Sequence, residues 1–156
     1  MMATQGLRRS VGVVSDRIER ETVLRHPVER VWAALTTAEG LSQWFGSVAE
    51  IDLRPGGRAY FRWEDLDEES VATITIVDPP HCLAFRWPIE GWPEDDPPRT
   101  LVTFTLEPVA DGTRLRLVES GFTQAADHLA RSAHQANSQG WAAELGDLET
   151  YLDAAA

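Results

Sequence analysis

Apolar and polar residues alternate through most of the chain between residues 17 and 119, which is the pattern of β-strands that bury one face. The alternation predicts seven strands, at residues 17–24, 48–53, 58–64, 71–77, 82–87, 101–107 and 113–119. Turn residues separate consecutive strands, as in the RPGG run at 54–57. Short connections between the later strands predict antiparallel neighbours, and the alternation predicts one wet face and one buried face.

A helical spacing of apolar residues interrupts this alternation after the first strand. The run HPVERVWAAL at 26–35 predicts a helix with Pro27 at its first position. Thr37 can cap a second short helix over 38–45. We therefore expect two short helices between the first strand and the second.

A long helix is predicted over residues 125–153, where apolar residues recur at helical steps: Trp141, Leu145, Leu148 and Leu152. Continued backwards, the same stripe carries the polar side chains Asn137, His134 and Asp127. Since buried polar groups need partners, we expect a cavity beneath the first half of the helix, with His134 and Asn137 facing it. The alternative is that the helix begins near residue 135 and leaves these side chains in a wet loop. We also expect Gly140 to let the helix approach the sheet or an aromatic ring closely.

These elements predict an α+β fold in which a curved antiparallel sheet of six to seven strands wraps around a long C-terminal helix. A chain of 156 residues fits a single domain, which we place at residues 17–153. Residues 1–16 show no sustained period, and we expect a flexible N-terminal tail there.

The charge of the chain narrows the classes of partner. A net charge of −11 and a pI of about 4.7 argue against nucleic acid and anionic membranes, which both select basic patches. No apolar run approaches the length of a membrane span, and the N-terminus lacks the apolar segment of a signal peptide. The single cysteine, Cys82, excludes an internal disulfide framework. We therefore predict a cytoplasmic protein with no membrane partner.

The histidines do not have the spacing of metal ligands. His26, His81, His128 and His134 form no H-x-x-x-H or H-E-x-x-H motif. Cys82 has no neighbouring base in the sequence that would activate its thiol. We therefore predict no metal site, no cofactor and no nucleophilic cysteine.

Several short motifs occur in an order that identifies a family. They are PVERVWAALT at 27–36, EGLSQWF at 39–45, RPGG at 54–57, CLAFRW at 82–87, TFTLEP at 103–108, GTRLRL at 112–117, SGF at 120–122 and GWAAELGDL at 140–148. Together they resemble the START-like (SRPBCC) helix-grip superfamily. The closer similarity is to bacterial single-domain homologues of the C-terminal domain of the activator of heat-shock-protein-90 ATPase.

The resemblance implies an internal cavity between sheet and helix that holds an apolar or amphipathic small molecule. It also suggests a link to stress. It fixes no ligand, because such folds host binding, transport and catalysis alike. The acidic, proline-rich segment at 88–99 matches no motif of the family.

Aromatic and polar residues on the predicted inward faces are the candidate ligand-binding residues. They are Trp44, Phe61, Trp63, Phe85, Trp87, Phe104, Leu117, Glu119, His134, Asn137 and Trp141. The chain contains six tryptophans, and a pocket with several indole N–H donors would suit a planar or amphipathic ligand. The alternative for each ring is a place in an ordinary hydrophobic core.

Glu119 and His134 are the candidate catalytic pair. Glu119 shares its strand face with Leu115 and Leu117, so it can point inward and act as a general acid or base. With His134 it could move a proton, as a cyclase or hydratase requires. The alternative is that Glu119 is exposed at the end of its strand or pairs with an arginine.

The segment at 88–99 carries Trp92 in its middle. Trp92 could close over the cavity as a lid, or it could contact a second subunit and so support a homodimer. A third interpretation is a long hairpin with one ring tucked against the domain.

Three functions follow from these patterns. The first is a carrier or sensor of a small hydrophobic or amphipathic molecule. The second is an enzyme of the aromatase/cyclase or hydrolase kind, which would need Glu119 and His134 to converge on a shared void. The third is a chaperone-associated protein–protein adaptor, which would need an exposed apolar patch.

Overall fold

Seven antiparallel strands form one sheet in a computed structural model that describes residues 15–89 and 97–154. The strand order is β1-β7-β6-β5-β4-β3-β2, so the first strand in the chain pairs with the last. A register shift between Ile74 and Ile76 of β4 marks a bulge, which bends a strand and increases its twist. The α+β helix-grip architecture predicted from the sequence is confirmed.

The elements follow one another with short connections. They are β1 (Arg17–Leu24), α1 (Val28–Thr36), α2 (Ala38–Trp44), β2 (Val48–Ile51), β3 (Arg58–Trp63), β4 (Glu68–Asp78), β5 (Cys82–Pro88), β6 (Arg99–Val109), β7 (Gly112–Ser120), a 3-10 turn (Phe122–Gln124) and α3 (Asp127–Ala154).

The alternation in the strands separates the core from the charged outer face. Phe104 of β6 lies opposite Leu117 of β7 on the inner face, and both side chains are buried. On the outer face of β7, Arg116 pairs with Glu19 of β1 at 3.0 Å. The inner face of the sheet therefore forms the floor on which the helices pack.

The helical pair after β1 begins and turns close to where the sequence places it. Pro27 is the N-cap of α1, with extended backbone angles, so the first helical residue is Val28 and not Pro27 as predicted. The predicted cap at Thr37 is confirmed, because its hydroxyl oxygen accepts from the Gly40 N–H at 2.9 Å. The same hydroxyl donates to the Ala33 carbonyl oxygen at 2.7 Å, which ties the end of α1 to the start of α2.

Replacing Thr37 by Ala is expected to lower the free energy of unfolding by about 1 kcal/mol, since it removes the N-cap of α2. Urea denaturation measures the change. Ser42→Ala is the control, because its hydroxyl bonds to the Glu39 carbonyl oxygen within the helix and caps nothing. Alanine has the higher helix propensity, so this control should be neutral or slightly stabilising. Equal losses in both variants would contradict a capping role for Thr37.

The long helix α3 crosses the inner face of the sheet. It begins at Asp127, so the alternative of a helix that starts near residue 135 is wrong. Its apolar stripe is buried, and the stripe extends into the first half of the helix through Ala130 and Ala133, which are also buried. The first turns of α3 therefore pack, contrary to the expectation of a cavity beneath them. No helix among the described residues is long and apolar enough to cross a membrane.

The chain is anchored just before β1. The Asp16 carboxylate accepts from the Thr123 N–H at 3.1 Å and from the Thr123 hydroxyl at 2.5 Å. These hydrogen bonds to Thr123 lower the pKa of Asp16, because they favour its charged form. The sequence predicts Asp16 to lie in the flexible tail, but its hydrogen bonds connect the start of the domain to the 3-10 turn. Residues 1–14 of that tail lie outside the described part of the chain.

Candidate functional site

A buried carboxylate is the central polar feature of the interior. Glu119 lies at the end of β7, and its side chain is 0 % exposed. Its inward parity is the one predicted from Leu115 and Leu117. The alternatives of an exposed side chain or an arginine partner are wrong, because every hydrogen bond that the structure describes for Glu119 comes from a neutral group.

Four side chains from three elements donate to this carboxylate. Oε1 accepts from Trp141 Nε1 at 2.8 Å, and Oε2 accepts from Trp87 Nε1 at 2.8 Å and from the Thr100 hydroxyl at 2.5 Å. The Asn137 amide donates to both oxygens, at 3.1 and 3.0 Å. Indole and amide N–H groups can only donate, so a carboxylate with its four acceptor positions is the side chain that satisfies them together.

Local structure explains why these donors converge. Trp87 of β5 pairs directly with Thr100 of β6, so their side chains share the inner face. Glu119 pairs with Val102, two residues along from Thr100 and therefore on the same face. The other two donors come from α3, where Asn137 and Trp141 are four residues apart and therefore lie one helical turn from each other. The network thus joins three neighbouring strands to the helix.

The carboxylate also fixes the orientation of a set of aromatic rings. Trp87 and Trp141 stack with their centroids 5.7 Å apart and an interplanar angle of 26°. Phe45, at the end of α2, stacks on Trp141 at 5.5 Å and on Trp87 at 6.0 Å. Because the lone pairs of Glu119 are occupied by donors, it acts as a positioning residue for these rings and is not a free base.

A pocket of about 310 Å³ lies beside these rings, between the middle of α3 and the ends of β3, β4 and β5. This volume is in the usual range of small-molecule sites, roughly 300–1,000 Å³. The described residues that line it are Phe45, Trp63, Leu66, Glu68, Ser70, Trp87, Pro88, Ala136, Asn137, Gly140, Trp141 and Glu144. The hollow under α3 therefore exists, but it lies at mid-helix and not at the leading end.

Apart from His134, the candidate ligand-binding residues divide into two groups in the structure. Trp63, Trp87, Asn137 and Trp141 line the pocket, and Glu119 lies directly behind it. The other apolar candidates lie in the core, most of them around a void of only about 10 Å³: Trp44, Phe61, Phe85, Phe104 and, elsewhere in the core, Leu117. A void of this size holds at most one water, so these rings have the place of ordinary core residues.

His134 lies away from the pocket. Its Nε2 is 3.0 Å from the Arg17 carbonyl oxygen, and its ring contacts Phe122 edge-on with centroids 5.2 Å apart. The helix crosses the sheet at an angle that carries His134 over β1 and the 3-10 turn, whereas Asn137, three residues later, reaches Glu119. Glu119 and His134 therefore do not converge on a shared void, which the enzyme hypothesis required.

The indole N–H groups are not available to a ligand in the way that the sequence suggested. Trp87 and Trp141 donate to Glu119, and Trp63 donates to the Phe45 carbonyl oxygen. What these three tryptophans offer in the pocket is the carbon surface of their rings.

Gly140 has a different role from the one expected. A Cβ atom at this position would meet no other atom within 4 Å, so the glycine does not serve a close approach to the sheet or to a ring. Gly140 instead lines the pocket and leaves it open at this turn of the helix.

Glu144 is the main polar group of the pocket that the sequence analysis did not single out. It follows Trp141 by three residues, so the helical stripe used for the core would have placed it on the same face. Its Oε2 is buried and has no hydrogen-bond partner, and the same is true of the Ser70 hydroxyl in the pocket wall. Burial raises the pKa of Glu144 to about 8, with further increases from the charges of Asp147 and Asp65.

Trp92 and most of the 88–99 segment fall in residues 90–96, which lie outside the described residues. In residues 15–89 and 97–154, no three histidine, cysteine, aspartate or glutamate side chains are grouped so that they could hold a metal ion.

Comparison with solved structures gives close likenesses over most of the chain. Protein MLL2253 of Mesorhizobium loti is 27% identical, with a TM-score of 0.76, over 88% of this chain and 96% of that one. DynU16, from the dynemicin biosynthetic locus, is 25% identical with a TM-score of 0.73, over 89% of this chain and 48% of that one. The Aha1 dimer of Colwellia psychrerythraea shares the fold at 21% identity and a TM-score of 0.69, over 85% and 92% of the two chains.

Two comparisons at the level of sequence complete the picture of the family. Comparison with curated proteins gives no match. The family model described as "Activator of Hsp90 ATPase homolog 1-like protein" matches residues 25–153, which is most of the 156-residue chain and includes every element from α1 to α3. The chain belongs to the activator of Hsp90 ATPase homolog 1-like family.

Proposed function

We propose that the protein binds a small hydrophobic or amphipathic molecule in the pocket between the sheet and α3, as a carrier or a sensor. The observation that carries the proposal is a pocket of about 310 Å³ walled by tryptophan rings that Glu119 holds in place. Proteins with this fold commonly bind hydrophobic ligands. A wall that is fixed before the ligand arrives lowers the entropic cost of binding.

Two polar groups in the pocket wall favour an amphipathic ligand over a purely apolar one. Ser70 Oγ and Glu144 Oε2 are buried without hydrogen-bond partners, although buried polar groups in proteins are nearly always paired. An unpaired buried group costs about 1–3 kcal/mol. A ligand with one polar end could satisfy these groups while its apolar body covers Trp63 and Trp87.

Catalysis by the residues first suspected has less support. The oxygens of Glu119 accept from four side chains, and His134 is bonded to the backbone of β1. Neither lines the pocket. Binding is therefore the function that the geometry supports best.

Native mass spectrometry of the protein purified from its own organism tests the proposal, with a search for a retained organic molecule. A thermal-shift panel of compounds with one aromatic ring system, including 2-(1-naphthyl)ethanol, tests it in parallel. A ligand at a hundred times its Kd should stabilise the protein by about 2.7 kcal/mol, which is roughly 5–10 °C in Tm for a domain of this size. A protein that retains no organic molecule, and that no panel member stabilises, would contradict the proposal.

Homodimer formation and a cytoplasmic location stay predictions. The dimer is supported by the dimeric state of the Colwellia psychrerythraea protein, whose likeness to this chain is one of fold. Light scattering coupled to size-exclusion chromatography measures the mass in solution, and a 17.3 kDa particle would show a monomer.

A further inference from the structure

The charged residues among the described lining of the pocket are both acidic. Glu68 and Glu144 belong to its lining, and among the described residues that line it there is no arginine or histidine. The charges of Asp65, in the turn before β4, and of Asp147, on α3, act on Glu144. The acidic groups thus come from the helix and from the opposite wall of the pocket.

Two arginines adjoin this wall in sequence: Arg62 precedes Trp63 on β3, and Arg86 precedes Trp87 on β5. Arg86 is exposed and, as the strand neighbour of Trp87, points to the opposite face of the sheet. Arg62 alternates with Trp63 on β3 and therefore points to the other face of the sheet. Its guanidinium donates to the Asp67 carboxylate at 2.7 Å. Arg62 therefore does not neutralise the acidic side of the pocket.

The rest of the wall also suits a positive charge. Trp63, Trp87 and Trp141 present ring carbon to the pocket because their N–H groups are bonded to the protein. Indole rings attract cations most strongly among the aromatic side chains. The exposed Leu66, also part of the lining, adds apolar surface for the body of a ligand.

We propose that the ligand of this pocket is an organic cation, an ammonium group on an apolar body, whose charge lies beside the carboxylate of Glu144. The inference rests on the proposed function, since it names the chemical class of the molecule that the pocket binds. The unpartnered Oε2 of Glu144 and the unpartnered hydroxyl of Ser70 are acceptors for the N–H groups of such a cation.

The acid–base state of Glu144 gives the inference a pH signature. In the free protein its pKa is raised to about 8, so the carboxyl is mostly neutral at pH 6.5 and mostly charged at pH 8.5. A cation binds the charged form, and a simple alkylammonium with a pKa near 10 keeps its charge over this range. The affinity for the cation should therefore rise with pH, by roughly twentyfold between these two values, since about 3 % of the carboxyl is ionised at the lower pH and about 75 % at the higher one.

Isothermal titration calorimetry with three naphthalene probes tests the inference on the whole chain. The probes share one ring system and differ in charge: 2-(1-naphthyl)ethylamine, 2-(1-naphthyl)ethanol and 1-naphthaleneacetate. We expect the amine to bind at least tenfold more tightly than the alcohol at pH 8.5, and the acetate to bind most weakly. The affinity of the amine should rise with pH as above, whereas that of the alcohol should stay constant.

Glu144→Gln separates this carboxyl from the general acidity of the protein. The variant keeps the size of the side chain but cannot carry its charge, so the preference for the amine and the pH dependence should both disappear. Glu149→Gln removes one exposed negative charge from the same helix and should leave both unchanged.

The possible results distinguish this inference from the function on which it rests. If the alcohol binds as tightly as the amine, or the acetate binds more tightly, the pocket binds ligands but the cation is wrong. If no probe binds but native mass spectrometry finds a retained organic molecule without a cationic group, the cation is wrong and the proposed function stands. If no probe binds, no organic molecule is retained and no panel member stabilises the protein, both fail. Should Glu144→Gln not fold, the comparison of amine and alcohol across pH in the unchanged protein decides the question alone.

Discussion

Replacing Glu119 by Gln is expected to lower the free energy of unfolding by about 2–4 kcal/mol, because one acceptor oxygen of the network is lost and buried donors are left unpaired. The amide has the same size, but one acceptor oxygen becomes an NH₂ donor. Placed at Oε1, the NH₂ would face the N–H groups of Trp141 and Asn137. Placed at Oε2, it would face the indole of Trp87, although the Thr100 hydroxyl could rotate and accept. Neither orientation satisfies all donors, so the loss does not depend on which one forms.

Urea denaturation and thermal melting measure this change. With about 2–4 °C per kcal/mol for a domain of this size, Tm should fall by roughly 4–16 °C. Glu107→Gln is the matched control, because Glu107 is an exposed glutamate whose partner is Arg114 on the surface of the sheet. Exposed ion pairs contribute up to about 1 kcal/mol, so this control should change little. A Glu119→Gln variant as stable as the control would show that the network does not stabilise the fold.

The sheet could be predicted from the sequence because its evidence is local. Alternation with period two assigns each residue of a strand to a face without knowledge of the partner strand. The cap at Thr37 was equally local, since donor and acceptor are three residues apart. The same reasoning placed Glu119 inward from its parity with Leu115 and Leu117. This reasoning could not predict that Ile76 is exposed, because the bulge in β4 depends on its pairing with β5.

The site could be predicted only in part, because it is assembled from distant segments. Parity indicated that Glu119 and Trp87 face inward, but the convergence of their side chains depends on strand order and register. The spacing of apolar residues along α3 does not determine the angle at which the helix crosses the sheet. That angle decides that Asn137 reaches the carboxylate while His134 contacts β1.

Replacing Gly140 by Leu is expected to weaken the binding of 2-(1-naphthyl)ethanol at least tenfold while leaving the fold as stable or slightly more stable. The position lines the pocket, and a side chain there meets no atom close to its Cβ. A leucine therefore enters the space of about 310 Å³ that a ligand would occupy. Glycine inside a helix costs roughly 0.5–1 kcal/mol relative to alanine, so its removal should favour the helix.

Gly146→Leu shows whether the pocket or the helix is responsible. Gly146 lies on the same helix, it also has open space at its Cβ, and it is not part of the lining. Both variants should gain similar stability in thermal melts, and only Gly140→Leu should lose the ligand in calorimetry. Equal binding by the two variants would place the ligand elsewhere. Because both glycines weaken the same helix, a glycine in α3 does not by itself mark a functional site, and the difference in binding between the two positions is what ties Gly140 to the pocket.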